Sequence, residues 1–536
     1  MLAFAAMMLV FTLFFALHAQ AEAPRAATLP AKGLYCNIDD SVFFWGRDIP
    51  DGKAGELIDR YVDVMKDAGT TVLLCCTNAR RTNYRSKVWD SYWDGYDPNG
   101  PDDQPFFAAV PKEERPGIRK WVHNCWFVDQ QGIDYPARML ERCRHDGISP
   151  WITLRMNDCH YNNIPDHCFH GEFWKKNPQF LVKNHPGYYE HCLDYAHPEV
   201  RDFYKALIVE TLDRYDIDGL ELDFMRECVL FSGGKEAEGR AILTEWMRTI
   251  HKLVEEAAAK RGHPIHLGIR VPSRPETALA LGLDSIAWAK EGLIDMLVPT
   301  PRWASLEYDM PLEQWRELLG TSKVTLGGGL EILYRPMPNG PATPVSPDLA
   351  KGAAISVWSR GADALYLFNY FQDADPHAKW SVPVYTSTLS TMGSMDRLLK
   401  ESRTIGITYR DITAPGEAYR ATLPAEGKEI ALSMRIGPIP KSPWQCDLTL
   451  EFASSKETTF APPMVSVNGK PCELGKEETP APNRHVMTFH VPLESLVDAK
   501  PQEIAIAAKA ASGETVYRVE RVEMAFAPAA QTEKNP

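Results

Sequence analysis

Charged and imidazole side chains in this 536-residue chain gather just after short apolar runs, a placement that suits acid–base chemistry. "NIDDSVFFW" sets Asp39 and Asp40 at such a point. "LRMNDCHY" supplies Arg155, Asn157, Asp158 and His160, and "GLELDFMRE" supplies Asp223, Arg226 and Glu227. Further along come Arg270 and Arg274, Arg302 beside Trp303, Glu331, and Asn369 beside Tyr370. Several carboxylates, a histidine and aromatic rings around one site suit cleavage of a glycosidic bond. That reaction needs a proton donor for the departing oxygen and a base or nucleophile on the opposite side. Trp89, Trp93, Tyr96 and Trp303 are candidates to stack on sugar faces, and the plainer reading of each is packing.

Arg155 and Arg226 narrow the substrate. Two arginines at one site in an acidic chain suggest a planar anion held by bidentate forks, and a carboxylated sugar fits. The alternative is that each pairs with Asp158, Asp223 or Glu227. Asp223 also has two readings, as a nucleophile or acid, or as a carboxylate that holds an arginine in place. Glu221 would face the same side but deeper, and is expected to be structural. Asp218 precedes the strand and is expected to cap or turn the chain. "NDCHYNNIPDHCFH" (157–170) collects Cys159, His160, His167, Cys168 and His170. Its spacing matches no standard zinc pattern, so a polar substrate loop is expected there, with no metal and no cofactor.

The elements that must position these residues alternate. Apolar runs at 33–38, 71–77, 150–156, 219–224, 265–271, 294–300, 324–330 and 364–370 read as eight strands. Between them, period-3.6 stretches predict helices over 54–68, 135–146, 198–215, 236–261, 311–319, 348–359 and 385–400. Eight strand–helix units predict a (β/α)8 TIM-like barrel, in which strand C-termini carry the site. An open doubly wound sheet is the runner-up, without the Gly-rich phosphate turn many such sheets carry. Residues 78–131 and 157–197 form two long loops on the C-terminal face, rich in Trp, Tyr, His and Asn. Loops of that length in a compact domain are usually functional or disordered, and this composition argues against disorder.

After about residue 405 the pattern alternates with period two, and Asn468-Gly469 is a hairpin signal. A C-terminal β-sandwich over 405–530 is expected, following a barrel over 30–402. Residues 2–17 are almost wholly apolar and precede small-x-small sites at 19–23, so 1–21 reads as a secretory signal peptide, with an uncleaved anchor as the alternative. Export to a periplasm or the medium follows. Eleven cysteines leave at least one thiol free or paired between chains, and Cys446 with Cys472 is a candidate bridge. A net charge of −13 argues against a nucleic-acid or anionic-membrane partner.

"LDYAHPEVRDFYKALIVETLDRYDIDGLELDFMR" (193–226) resembles the stretch around the fourth strand of glycosyl-hydrolase-like barrel proteins. The wider layout is similar to glycoside hydrolase family 156, the inverting exosialidases. That resemblance implies Asp40, or Asp39, with His160 as the catalytic pair. It implies Arg155, five residues before His160, and Arg226 as contacts for the sialic acid carboxylate, and Asn369 beside Tyr370 near the eighth strand end. The combined expectation is an exported exo-sialidase, with Asp40 as acid and His160 as base, and with Asp223 possessing a catalytic reading. Asp39, Asn157, Arg302, Asn369 and Tyr370 are expected to bind substrate beside Arg155 and Arg226. Two alternatives stand: a glycosidase on a neutral or uronic-acid glycan using Asp223 and Glu331, and a non-catalytic glycan-binding barrel. A glycan is the expected partner, and a homodimer is left open.

Overall fold

The computed structural model describes residues 29–529 apart from 31, 40, 186, 304, 371, 373–379, 442, 455–459 and 509–515. The apolar leader and Asp40 lie outside the described residues. Strands β1 (Leu34–Ile38), β2 (Thr70–Cys76), β3 (Ser149–Arg155), β4 (Gly219–Asp223), β5 (His266–Pro272), β6 (Met296–Thr300), β7 (Thr325–Leu330) and β8 (Ala364–Phe368) form a closed parallel barrel. Their runs are apolar nearly throughout because both faces are buried, one under helices and one inside the barrel. Closure is direct: Tyr35 on β1 registers with Tyr366 on β8, which excludes the open sheet.

The surrounding helices are α1 (Ala54–Asp67), α2 (Tyr135–Asp146), α3 (Pro198–Arg214), α4 (Glu236–Arg261), α5 (Leu312–Leu319), α6 (Pro347–Ser359) and α7 (Val382–Met392). Local chemistry fixes their ends. Asp134 caps α2 by accepting from the Ala137 N–H, and Gly147 ends it at φ 75°. Ser346 caps α6 in the same way, with Pro347 in the first turn. The stretch expected as one helix over 385–400 is two: α7 stops before Gly393, and Ser394 caps a new turn at Met395–Leu398. The segment 78–131 also departs from a plain loop. It contains a helix over Arg115–Gln130, whose Ile118, Trp121, Val122, Cys125 and Val128 bury one face.

The C-terminal part is two antiparallel sheets. One runs in the order 403–406, 517–528, 444–453, 484–491, 473–481, with 425–427 also on the 517–528 strand. The other runs 429–434, 502–507, 464–467, 470–471. Asn468 and Gly469 make the expected tight hairpin at φ 49° and 77°. The sheets join the barrel through α6, where Gly352 lies against the Thr404 carbonyl with no room for a Cβ. One apolar cluster is continuous from barrel residues such as Leu34 and Leu365 to sandwich residues such as Leu448 and Phe526. Among the described residues, no helix is long and apolar enough to cross a membrane.

Candidate active site

The C-terminal ends of β1, β3 and β4 bring four expected residues into one chain of contacts. Arg155, the buried last residue of β3, donates from Nη2 to Asp39 Oδ2 (2.6 Å) and from Nη1 to Asp158 Oδ2 (3.1 Å). Asp158 also holds His160: the ring Nδ1 lies 2.8 and 2.9 Å from its two oxygens, and the His160 backbone N–H donates at 2.9 Å. Burial would raise the Asp158 carboxyl, but His160, Arg155 and Arg226 outweigh it and hold the group well below the usual carboxylate range. An ionised Asp158 can only accept, so Nδ1 carries the proton. On the far side of the ring, Nε2 lies 3.3 Å from Arg226 Nη2. A guanidinium has no lone pair to offer, so Nε2 accepts. His160 is thus held as the tautomer whose basic nitrogen faces the mouth, and its side chain is 38% exposed.

Arg226 is buried, yet among the described residues it has no carboxylate in ion-pair contact. Its guanidinium lies over the rings of Phe368 (5.6 Å) and Trp303 (5.9 Å), and Nε has no hydrogen-bond partner. The neighbouring guanidiniums differ. Arg155 is engaged by Asp39 and Asp158, which is the pairing alternative for that residue. Arg302, expected to bind substrate, is instead clamped by Glu227 and packed over Tyr188 at 4.4 Å. Burial opposes the Glu227 charge, but Arg302 outweighs it and lowers the carboxyl. The backbone around Arg302 is held from the C-terminal part: Asp411 accepts from the N–H groups of Arg302 (3.1 Å) and Trp303 (2.9 Å).

Asn157, also expected at the substrate, has its amide bonded to backbone groups. Its Nδ2 donates to the carbonyls of Leu193 (2.8 Å) and Val229 (2.7 Å), and its Oδ1 accepts from the Leu193 N–H (2.9 Å). The amide therefore ties the loops after β3 and β4 together. Trp89 is stacked on Phe203 at 4.2 Å, and Trp93 and Tyr96 are buried, so these rings pack the 78–131 segment. Trp303 remains beside Arg226.

Beneath this layer, Asp223 Oδ1 forms an ion pair with Arg270 Nε (3.0 Å) and accepts a hydrogen bond from the Met225 N–H (2.9 Å). Arg270 is fully buried, with its guanidinium 3.7 Å from the Phe368 ring centre. Asp223 thus holds an arginine, the second of its two readings. Burial raises the carboxyl of Glu331 well above the usual range, against the pull of Arg270 and Arg226. Asn369 follows β8 with φ 60°, and its Oδ1 and the Tyr370 hydroxyl are buried without hydrogen-bond partners among the described residues. Buried groups of this kind are ones a hydroxylated ligand satisfies.

Glu221 lies deeper, as expected. Its Oε1 accepts from Thr153 (2.7 Å), Tyr366 (2.8 Å) and Asn37 (3.1 Å). Burial and then Asp223 push its carboxyl up to about 7 from an ordinary 4.5. Between those values the folded state holds a proton that the unfolded state has lost, so this group's contribution to stability falls as pH rises through the window. Glu221→Gln should flatten that slope, read as urea midpoints at about pH 5 and about pH 7.5.

The His- and Cys-rich segment packs as rings. His167 stacks on Tyr161 (3.7 Å) and His170 on Trp174 (4.1 Å), and burial lowers them to about 4 and about 3. Among the described residues no group of three or more His, Cys, Asp or Glu side chains is placed to hold a metal ion. Cys446 and Cys472 are both free thiols, the first buried within a sheet and the second partly exposed beyond the hairpin. A groove of about 1190 Å3 opens elsewhere, on the outer wall of the barrel. Its arginines are already paired, Arg85 with Asp129 and Arg214 with Asp134.

Asp158 was visible as a strand-end residue but without a role. Its signal is the spacing Asp-x-His, which lets one carboxylate reach both the backbone and the ring of His160. Tyr188, which donates to Glu227 at 3.2 Å, and Asp411 carried no local signal.

No protein-family model matches the chain, and no curated protein matches it. Among solved structures, the chain is similar to alpha-L-fucosidase isoenzyme 1 from Paenibacillus thiaminolyticus at 11% identity and a TM-score of 0.36, covering 89% of this chain and 97% of that one. It is similar to the PgaB (BpsB) glycoside hydrolase domain from Bordetella bronchiseptica at 10% identity and a TM-score of 0.39, over 68% and 99% of the two chains. It is similar to a Paenibacillus sp. cycloisomaltooligosaccharide glucanotransferase at 9% identity and a TM-score of 0.33, over 92% of this chain. The chain spans 57% of the length of that glucanotransferase. Likeness at this level concerns the fold and assigns no activity.

Proposed function

We propose that the chain is an exported glycoside hydrolase that releases a terminal sialic acid with inversion. The observation that carries this reading is Arg226, a buried guanidinium with no carboxylate partner among the described residues, one hydrogen bond away from an imidazole that Asp158 has oriented as a base. An acidic sugar supplies the missing carboxylate. As it takes the Arg226 fork, Nε2 of His160 loses its donor and becomes free to accept from water. His160 then removes a proton from that water as its oxygen attacks the anomeric carbon, and an acid protonates the leaving oxygen. Asp40 is the expected acid. A sialoside anomeric carbon bears its own carboxylate, which repels a carboxylate nucleophile and suits a neutral base.

The direct test is turnover of an aryl sialoside, with the first-formed anomer of the product read by NMR. Arg226→Ala should raise KM at least about tenfold, the effect of losing a hydrogen bond between charged groups, and leave the fold intact. Release of neutral sugars by the wild type, without release of sialic acid, overturns the reading.

One observation favours a second reading. Arg270 is ion-paired with Asp223, while burial raises the Glu331 carboxyl well above the usual range despite the pull of Arg270 and Arg226. The two carboxyl groups would serve as base and acid on a neutral or uronic-acid glycan. In that case Glu331→Gln, and not His160→Ala, abolishes hydrolysis.

A further inference from the structure

A pocket of about 440 Å3 lies where the barrel meets the sandwich, with Arg274, just beyond the end of β5, on its wall. Its walls come from three parts of the chain: barrel residues near 274, 307–309 and 360, the connecting segment 406–422, and sandwich residues 431–435. Five arginines line it, Arg274, Arg360, Arg410, Arg420 and Arg435, against two lining carboxyl groups, Glu307 and Asp309. In a chain of net charge −13 this is a local reversal of sign.

The pairing within the pocket is incomplete. Arg274 meets Glu307 at 3.2 Å, Arg360 meets Asp309 at 3.0 Å, and Arg435 reaches Glu313 at 2.9 Å on the rim. Arg410 is held by Glu417 and lies 4.4 Å over the Tyr419 ring. Arg420 has no carboxylate partner among the described residues and is exposed. Glu307 is buried, which raises its carboxyl despite Arg274 and a hydrogen bond from Ser273. Positive charge is therefore in excess.

We propose that this joint is a second binding site, for a carboxylated sugar unit, with Arg420 as its open anion contact and the Tyr409 and Tyr419 rings beside it. The volume falls in the range of small-ligand pockets and holds a monosaccharide. Guanidinium forks match a carboxylate, and phenol rings offer a face to the sugar ring. The site also adjoins the barrel mouth in sequence: Arg410 precedes Asp411, whose carboxylate holds the Arg302 and Trp303 amides. An acidic glycan processed at the mouth would then have a second anchor on the same molecule. The binding itself does not depend on hydrolysis.

Calorimetric titration of the full chain tests this. The probes are N-acetylneuraminate, glucuronate, neutral glucose and inorganic sulfate, run on wild type, Arg226→Ala and Arg420→Ala. The expected result is a carboxylated-sugar site that survives Arg226→Ala and weakens at least about tenfold in Arg420→Ala, the effect of removing one charge-assisted hydrogen bond. Glucose should not bind there. The proposal is overturned if neither acid binds, if Arg420→Ala leaves binding unchanged, or if sulfate binds as tightly as the sugars. If Arg226→Ala changes nothing while Arg420→Ala does, the joint site stands and the reading of the mouth falls.

Discussion

His160→Ala is expected to lower kcat for an aryl sialoside by about two to four orders of magnitude, with little change in KM. The ring is 38% exposed, so its loss should not unfold the protein. What disappears is the basic Nε2 that Arg226 and Asp158 hold in place from opposite sides. Asp158→Asn should lose a large part of the same rate. An amide in that position can donate to Nδ1, which moves the proton to Nε2 and removes the base. Both variants should keep the affinity of the product sugar, because Arg226 remains. Full turnover in His160→Ala would show that the water is activated elsewhere, and the Asp223 and Glu331 pair would be the next groups to replace.

Asp223→Ala is expected to cost about 3–5 kcal/mol of stability, whatever it does to turnover. Arg270 is fully buried, and the Asp223 carboxylate at 3.0 Å is its ion-pair partner. Removing that carboxylate leaves a charged guanidinium against the Phe368 ring with no carboxylate in ion-pair contact among the described residues. The loss should be read as a drop in the urea midpoint. The double variant Asp223→Leu, Arg270→Met should regain most of it, since an apolar pair of similar volume is tolerated where an unpaired charge is not. If the double variant also turns over sialoside, Asp223 is structural. If it is stable and inert, the ion pair is part of the chemistry.

The barrel was legible because its signals are local. Each strand is a short apolar run, and the helices carry their own caps, such as Asp134 before α2 and Ser346 before α6. The short range of these forces also explains the break at Gly393, where Ser394 offers a better cap than continuing α7. At the site, strand ends placed Asp39, Arg155, His160 and Arg226 together, since the barrel topology alone brings those positions to one rim. What could not be read was which polar group each side chain meets. Asn157 finds its partners at Leu193 and Val229, and Arg302 finds Glu227, through loop paths with no periodic pattern. Arg155 and Arg226 look alike in sequence, but only the first lies within reach of two carboxylates.

The hold of Asp411 on the Arg302 and Trp303 amides has an evolutionary consequence. One wall of the candidate site is set by a residue from beyond the barrel. The two regions are therefore poor candidates for shuffling as independent modules. A barrel transplanted onto a different C-terminal partner would keep its strands but inherit a re-aimed Trp303, and with it a changed choice of substrate. Divergence in substrate preference among descendants of this architecture could thus arise from changes near residue 411 that leave every strand end untouched.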